Sequence, residues 1–181
     1  MREGLTFDDC NIIPAYSEIA SLDDVDLTTQ LSRNFKIRTP LIASPMDTVC
    51  GVHMAIALSG RGVGILHRFM SIDEQATAVL MVVKVAKDSR SVEFSPVAAA
   101  IGVNGDSKER ATKLLAAGAN VILLDVAHGH HKNVKDMVEW LKERQGYHRF
   151  DIIAGSIATK QAALDLQEWG VDGLRVGVGG G

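Results

Sequence analysis

The feature of this sequence that most restricts its fold is a recurring unit: a short apolar run, a loop holding Gly, Asp or Ser, then an amphipathic stretch of helical period. Strands alternating with helices in this way build a parallel sheet with helical crossovers. Leu41–Ser44 reads as a first strand ended by Pro45, and Val52–Ser59 as the helix after it, stopped by Gly60 and Gly62. Gly64–His67 is a second strand; Ser71 with Glu74 forms a capping box for a helix reaching about Lys87. Val97–Gly102 is a third strand, followed by a helix over Asp106–Ala117 with Gly118 past its end. Val121–Asp125 is a run of β-formers, and Val134–Arg144 a helix with Val134, Met137, Val138 and Leu141 on one face. Asp151–Ala154, a helix over Thr159–Trp169 closed by Gly170, and a strand at Gly173–Val176 complete the series.

Short strands at this spacing fit a barrel better than an open doubly wound sheet. An eight-unit parallel barrel needs ~250 residues, and the chain has 181. The expected fold is therefore α/β: an incomplete (β/α)8 TIM barrel of about six of the eight strand–helix units, occupying residues 1–181 as one domain. Its first and sixth strands would be unpaired edges. Either another chain supplies the rest, or the sequence is a fragment.

Composition narrows the function classes. The net charge is −3, with no basic stretch suited to nucleic acid. No apolar run approaches the ~20 residues that span a bilayer, and Met1-Arg2-Glu3-Gly4 lacks the apolar core of a signal peptide. The expected setting is the cytoplasm, with Cys10 and Cys50 as buried free thiols.

In a barrel of this class chemistry sits at the C-terminal ends of the strands. Those ends carry Ser44-Pro45-Met46-Asp47-Thr48, His67-Arg68-Phe69-Met70, Asp125 through His131, Gly155-Ser156, and Arg175 before the glycine loop Gly177–Gly181. Polar groups at five strand ends argue for one polar site at one mouth. Each has an alternative: Asp125 as a helix cap, His67 and Arg68 as a surface pair, Met46 as core filler. His128, His130 and His131 read as turn residues or a metal cluster, and the glycines as a tight turn or a phosphate cradle.

Taken in order, several segments resemble one known family. They are Leu5-Thr6-Phe7-Asp8-Asp9, Pro14-Ala15-Tyr16-Ser17 and Val25 to Thr29; Ser44 to Val49 with Met54-Ala55-Ile56-Ala57; Asp125-Val126-Ala127-His128-Gly129-His130; Ala154 to Thr159; and Arg175-Val176-Gly177-Val178-Gly179. This set is similar to the IMP dehydrogenase / GMP reductase family across essentially the whole chain. The resemblance implies a barrel that binds a purine nucleotide (IMP, XMP or GMP) and a nicotinamide cofactor, NAD or NADP. It implies a cysteine just beyond Gly181 that attacks C2 of the purine, so that no catalytic residue lies within the chain. Hydride then passes between C2 and the nicotinamide, with the adduct hydrolysed in the dehydrogenase or formed by loss of ammonia in the reductase.

Carried over by residue, the resemblance places Ser44 and Met46 in the substrate pocket. It places Asp125 on a cofactor ribose hydroxyl, Ser156, Arg175 and Gly177 beside the cofactor, and the carbonyls of Gly179 and Gly181 in a potassium site. Ser156 stands where the family has Asn, and Gly180 where it has Pro or Ser. A homo-oligomer, a tetramer in full-length relatives, or a complementing chain is the implied partner. Between Lys87 and Pro96 there is no room for the tandem regulatory domain common in the dehydrogenases, which leans towards a reductase or a minimal dehydrogenase. His67-Arg68-Phe69 leans to the reductases; Leu5 to Asp9, Ala55-Ile56-Ala57 and Leu174 to Gly177 lean to the dehydrogenase, the favoured member.

Overall fold

The computed structural model of the chain describes residues 7–88, 96–147 and 149–179. Short 3-10 turns at Phe7–Asp9 and Leu22–Asp24 precede β1 (Thr29–Gln30), β2 (Lys36–Ile37) and β3 (Ile42–Ala43). Then follow α1 (Val52–Leu58), β4 (Val63–Leu66), α2 (Ile72–Asp88), β5 (Ala98–Ile101), α3 (Ser107–Ala116) and β6 (Val121–Asp125). The series closes with α4 (Lys132–Gln145), β7 (Asp151–Ile157), α5 (Lys160–Glu168) and β8 (Gly173–Val176).

Strands β3 to β8 pair in chain order, all parallel, in one six-stranded sheet. The sheet curls into a partial barrel because both faces are apolar and each is covered. Alternation along β6 shows the division: Ile122 and Leu124 face the helices, while Val121 and Leu123 face inward. The outer layer packs Leu66, Ile101, Ile122, Leu124 and Ile152 against Val79, Val82, Leu114, Val138, Leu141 and Leu166. The four residues predicted for one face of α4, Val134, Met137, Val138 and Leu141, are all buried there. Strands buried on both faces read as continuous apolar runs, which is why they stood out in the sequence.

The inner face is closed at its N-terminal end by a hairpin that periodicity does not announce. Strands β1 and β2 pair antiparallel, and Leu31, Phe35 and Ile37 pack against Val63, Ile65, Ala98, Val121 and Ile153. The hairpin is pinned by Asp151, which is fully buried. Its carboxylate accepts from Ser32 Oγ at 2.7 Å, Asn34 N at 2.8 Å and Asn34 Nδ2 at 2.7 Å. A buried carboxylate persists only when its oxygens are met in this way. Beside it, Arg33 Nε lies 3.0 Å from Asp172 Oδ1.

Expected boundaries move for identifiable reasons. The first barrel strand shrinks to Ile42–Ala43, and β7 extends to Ile157. Helix α4 starts two residues early, at Lys132, because the His131 side chain caps it by accepting from Asn133 N. The Ser71–Glu74 capping box is present in both directions, at 2.9 and 3.2 Å. Gly118 and Gly170 follow α3 and α5 with φ of 101° and 91°, a region that suits glycine. The thiol reading needs correction: Cys50 is buried, but Cys10 is exposed, because residues 8–28 run over the surface without joining either core. Most of Lys87–Pro96 lies outside the described residues. Among the described residues, no helix is long and apolar enough to cross a membrane.

Candidate functional site

Strand alternation that turns Val121 and Leu123 inward turns Asp125, the last residue of β6, inward as well. Arg175 arrives from the equivalent level of β8, and its Nη1 donates to Asp125 Oδ1 at 2.5 Å. On the other side, Arg68 Nε from the loop after β4 stands 4.0 Å from Asp125 Oδ2. One carboxylate therefore sits between two guanidinium groups. Arg68 Nε is buried and has no hydrogen-bond partner, an uncompensated donor of the kind that a ligand acceptor relieves.

The loop bearing Arg68 is held from beneath. His67 is buried, and its Nδ1 accepts from Phe69 N at 3.2 Å. The Arg68 guanidinium lies 5.0 Å from the Phe69 ring centre. Met70 O accepts from Arg110 Nη2 at 3.1 Å, and Arg110 Nη1 donates to Gln75 Oε1 at 2.8 Å. Gln75, fully buried, donates in turn to Ala100 O at 2.8 Å. Asp106 Oδ2 completes the Arg110 shell at 2.7 Å. This network joins α2, α3 and the tip of β5 to the Arg68 loop. Sequence reading missed it, although its signal was there: Gln75 and Arg110 fall on helix faces otherwise given to the core.

Ser44 and Arg175 line one inner cavity of about 220 Å³, with Ile65, Leu123 and Ile153 as its apolar wall. Ser44 and Arg175 thus share one cavity, and Asp125 adjoins it through its bond to Arg175. Met46 lies just outside that cavity, half exposed, with its N–H donated to Ser44 O at 2.8 Å. Ser156 contributes through its backbone: its N–H donates to Val126 O at 2.8 Å, and its carbonyl accepts from Gly129 N at 2.7 Å. These two bonds lock the loop after β6 onto the end of β7. No side chain fits at Gly155, where a Cβ would collide with the Arg175 carbonyl and come within 2.7 Å of its Cβ. Gly177, with φ of 122°, donates to Ile157 O at 2.8 Å, and Gly179 has φ of 73°. Gly181 lies outside the described residues.

The histidines have local tasks. His131 caps α4, which removes Asp125 from that role. His130 Nε2 lies 2.7 Å from Asp165 Oδ2 and its ring is 5.9 Å from that of Trp169. The Asp165 carboxyl is held below its ordinary range, first by the Gln161 amide and then by His130. Among the described residues, no group of three or more His, Cys, Asp or Glu is placed to hold a metal ion. Burial pushes the Cys50 thiol up to about 11.

Residues 4–181 match the family described as IMP dehydrogenase / GMP reductase domain. The chain belongs to the IMP dehydrogenase / GMP reductase family. Curated relatives carry both names. Inosine-5'-monophosphate dehydrogenase of Cryptosporidium parvum is 34% identical over 215 residues, covering 99% of this chain and 52% of the relative. That of Nitrosopumilus maritimus is 30% identical over 297 residues, covering 99% and 62%. GMP reductase of Leishmania donovani is 30% identical over 307 residues, covering 100% and 62%. The chain thus spans between 52% and 62% of the length of these relatives.

The alignment lengths also bear on the missing insertion. A reductase aligns over 307 positions and a dehydrogenase over only 215, against the 181 residues here. Extra internal length within the IMP dehydrogenase / GMP reductase family therefore does not separate the two activities. The short Lys87–Pro96 connection, expected to lean towards a reductase or a minimal dehydrogenase, therefore does not choose between the two.

Proposed function

We propose that residues 1–181 are the N-terminal portion of an IMP dehydrogenase / GMP reductase catalytic barrel whose whole protein oxidises IMP to XMP with a nicotinamide cofactor. The observation that carries this reading is the Asp125 carboxylate, fixed by Arg175 at the mouth that Ser44 also lines. Asp125 Oδ1 is occupied, whereas Oδ2 faces Arg68 at 4.0 Å, beyond hydrogen-bond range. A ribose hydroxyl can donate to that oxygen, and an acceptor on the same ligand can take the unpartnered Arg68 N–H. The residues present thus fit the nucleoside part of NAD or NADP. A nicotinamide held there would supply the hydride-accepting chemistry of the reaction.

The chain's own side chains bind and orient. Ser44 and Met46 are assigned to the substrate nucleotide, and Arg175, Ser156 and Gly177 to the cofactor side. Arg175 holds the Asp125 carboxylate in place through its Nη1 hydrogen bond, as a guanidinium fork does for a carboxylate. The nucleophile is assigned to a cysteine after Gly181. Cys50 is unsuited, since its thiol is buried and pushed up to about 11. A potassium site at the carbonyls of Gly179 and Gly181 is part of the proposal, supported here only by the left-handed backbone of Gly179. So are a cytoplasmic location and a homo-oligomer or complementing chain.

A second reading, reduction of GMP to IMP with NADPH, is favoured by the Leishmania relative at 30% identity. A third, an inactive fragment or split subunit that binds nucleotide or a partner chain, follows from the lack of a reactive thiol at the mouth among the described residues. The test compares the 181-residue chain with one extended through the next cysteine, following nicotinamide absorbance with IMP and NAD, and with GMP and NADPH. Turnover by the extended chain alone is expected, with IMP and NAD. Turnover by the 181-residue chain overturns the assignment of the nucleophile, and turnover only with GMP and NADPH replaces the dehydrogenase by the reductase.

A further inference from the structure

At the end of the barrel opposite the mouth lies a second polar cavity, of about 250 Å³. Four separate pieces of chain build it: the hairpin loop with Arg33 and Asn34, the C-terminal half of α4 with Lys142 and Gln145, Arg149 just before β7, and Asp172 just before β8. It holds three cationic side chains and one carboxylate. That carboxylate is already committed: Asp172 Oδ1 lies against Arg33 Nε at 3.0 Å, and Oδ2 accepts from Gln145 Nε2 at 2.9 Å and Ile152 N at 3.0 Å. The other acid beneath the hairpin, Asp151, is fully buried with three donors of its own. Neither Lys142 nor Arg149 has a carboxylate within ion-pair distance among the described residues.

Three cations face one carboxylate here, and that carboxylate is spent on Arg33, so an added anion meets an excess of positive charge. The cavity is smaller than the ~300–1,000 Å³ that encloses a drug-sized ligand, so it suits a compact oxyanion. Arg33 and Arg149 supply planar donors and Lys142 a point charge, the set that recognises phosphate. We propose that this floor cavity binds a phosphoryl group, at a site separate from the mouth. Bound there, the anion bridges the hairpin to α4 and to the chain entering β7, and so fastens the floor of the barrel.

Inorganic phosphate at constant ionic strength, against chloride, is the probe. Hydrogen–deuterium exchange read by mass spectrometry should show saturable protection of peptides around residues 30–37 and 142–150, with a rise in melting temperature. A Lys142→Gln/Arg149→Gln double variant should need at least ten-fold more phosphate for the same protection. Protection confined to peptides around Arg68 and Arg175, protection that does not saturate, or an unchanged response in the double variant each overturns the site. If that variant is itself destabilised, the exchange map of the unaltered chain decides between floor and mouth. A parallel titration with IMP identifies the source: tighter protection of the same floor peptides points to a nucleotide phosphate, and none to the free ion, both within the proposed class.

Discussion

Asp125 has its value because of what it lacks as much as what it holds. One oxygen is bonded to Arg175 and the other is left near a guanidinium that cannot reach it. Asp125→Ala should weaken binding of the nicotinamide cofactor roughly 10- to 100-fold, the range for losing a hydrogen bond to a charged group, with little change for IMP; calorimetric titration separates the two. Cys50 makes a different prediction. Its neutral form is favoured by burial, so the unfolded thiol, near 9.0, loses its proton before the folded one at about 11. Stability is thus fully present below pH 9 and falls as pH rises from there towards 11. Denaturation midpoints across that window test the sign, and iodoacetamide at pH 8 should label Cys10 while sparing Cys50 in the folded chain. Asp125 was legible in the sequence because it ends an apolar strand run with a charge, and Arg175 because it stands just before the glycine loop. Arg68 was legible as a candidate, yet its orientation was not: that depends on Phe69, Met70 and an arginine forty positions away. Cys10 was misread because composition gives a thiol's average burial, whereas its segment has no core to join.

Among the elements, the strands and helices of the repeating unit announced themselves through period, caps and terminal glycines. Where Ser71 and Glu74 stand three apart, a capping box follows from reach alone. The hairpin of β1 and β2 gave no such sign. Each strand is two residues long, and its reason for existing is a carboxylate on β7, so no local pattern encodes it. Asp151→Ala should therefore cost more than a surface change: about 3 kcal/mol or more, since three donors lose a buried charged acceptor. Urea denaturation measures the loss. Hydrogen exchange should show the hairpin opening first, with β5 and β6 still protected. A variant as stable as the original, or one in which all strands loosen together, would contradict the hairpin's role as a separately fastened plug.

Among the described residues the molecule is a curled sheet with two open rims, since there β3 pairs only with β4 and β8 only with β7. Apolar groups stand exposed at both, with Ile42 at 48% and Val176 at 67%. Unpaired edges of this kind recruit other strands, so the 181-residue chain should self-associate at micromolar concentration in sedimentation velocity. A strictly monomeric chain would show that the rims are blunted in a way their sequence does not suggest. The hairpin also sets a clock on biosynthesis. Ser32 leaves the ribosome 119 positions ahead of Asp151, an interval of roughly 6–24 s at ~5–20 residues per second. Throughout that wait the nascent polypeptide carries Leu31, Phe35 and Ile37 with no partner for the loop between them. Chaperones that shield emerging apolar segments would meet this protein first at its future floor.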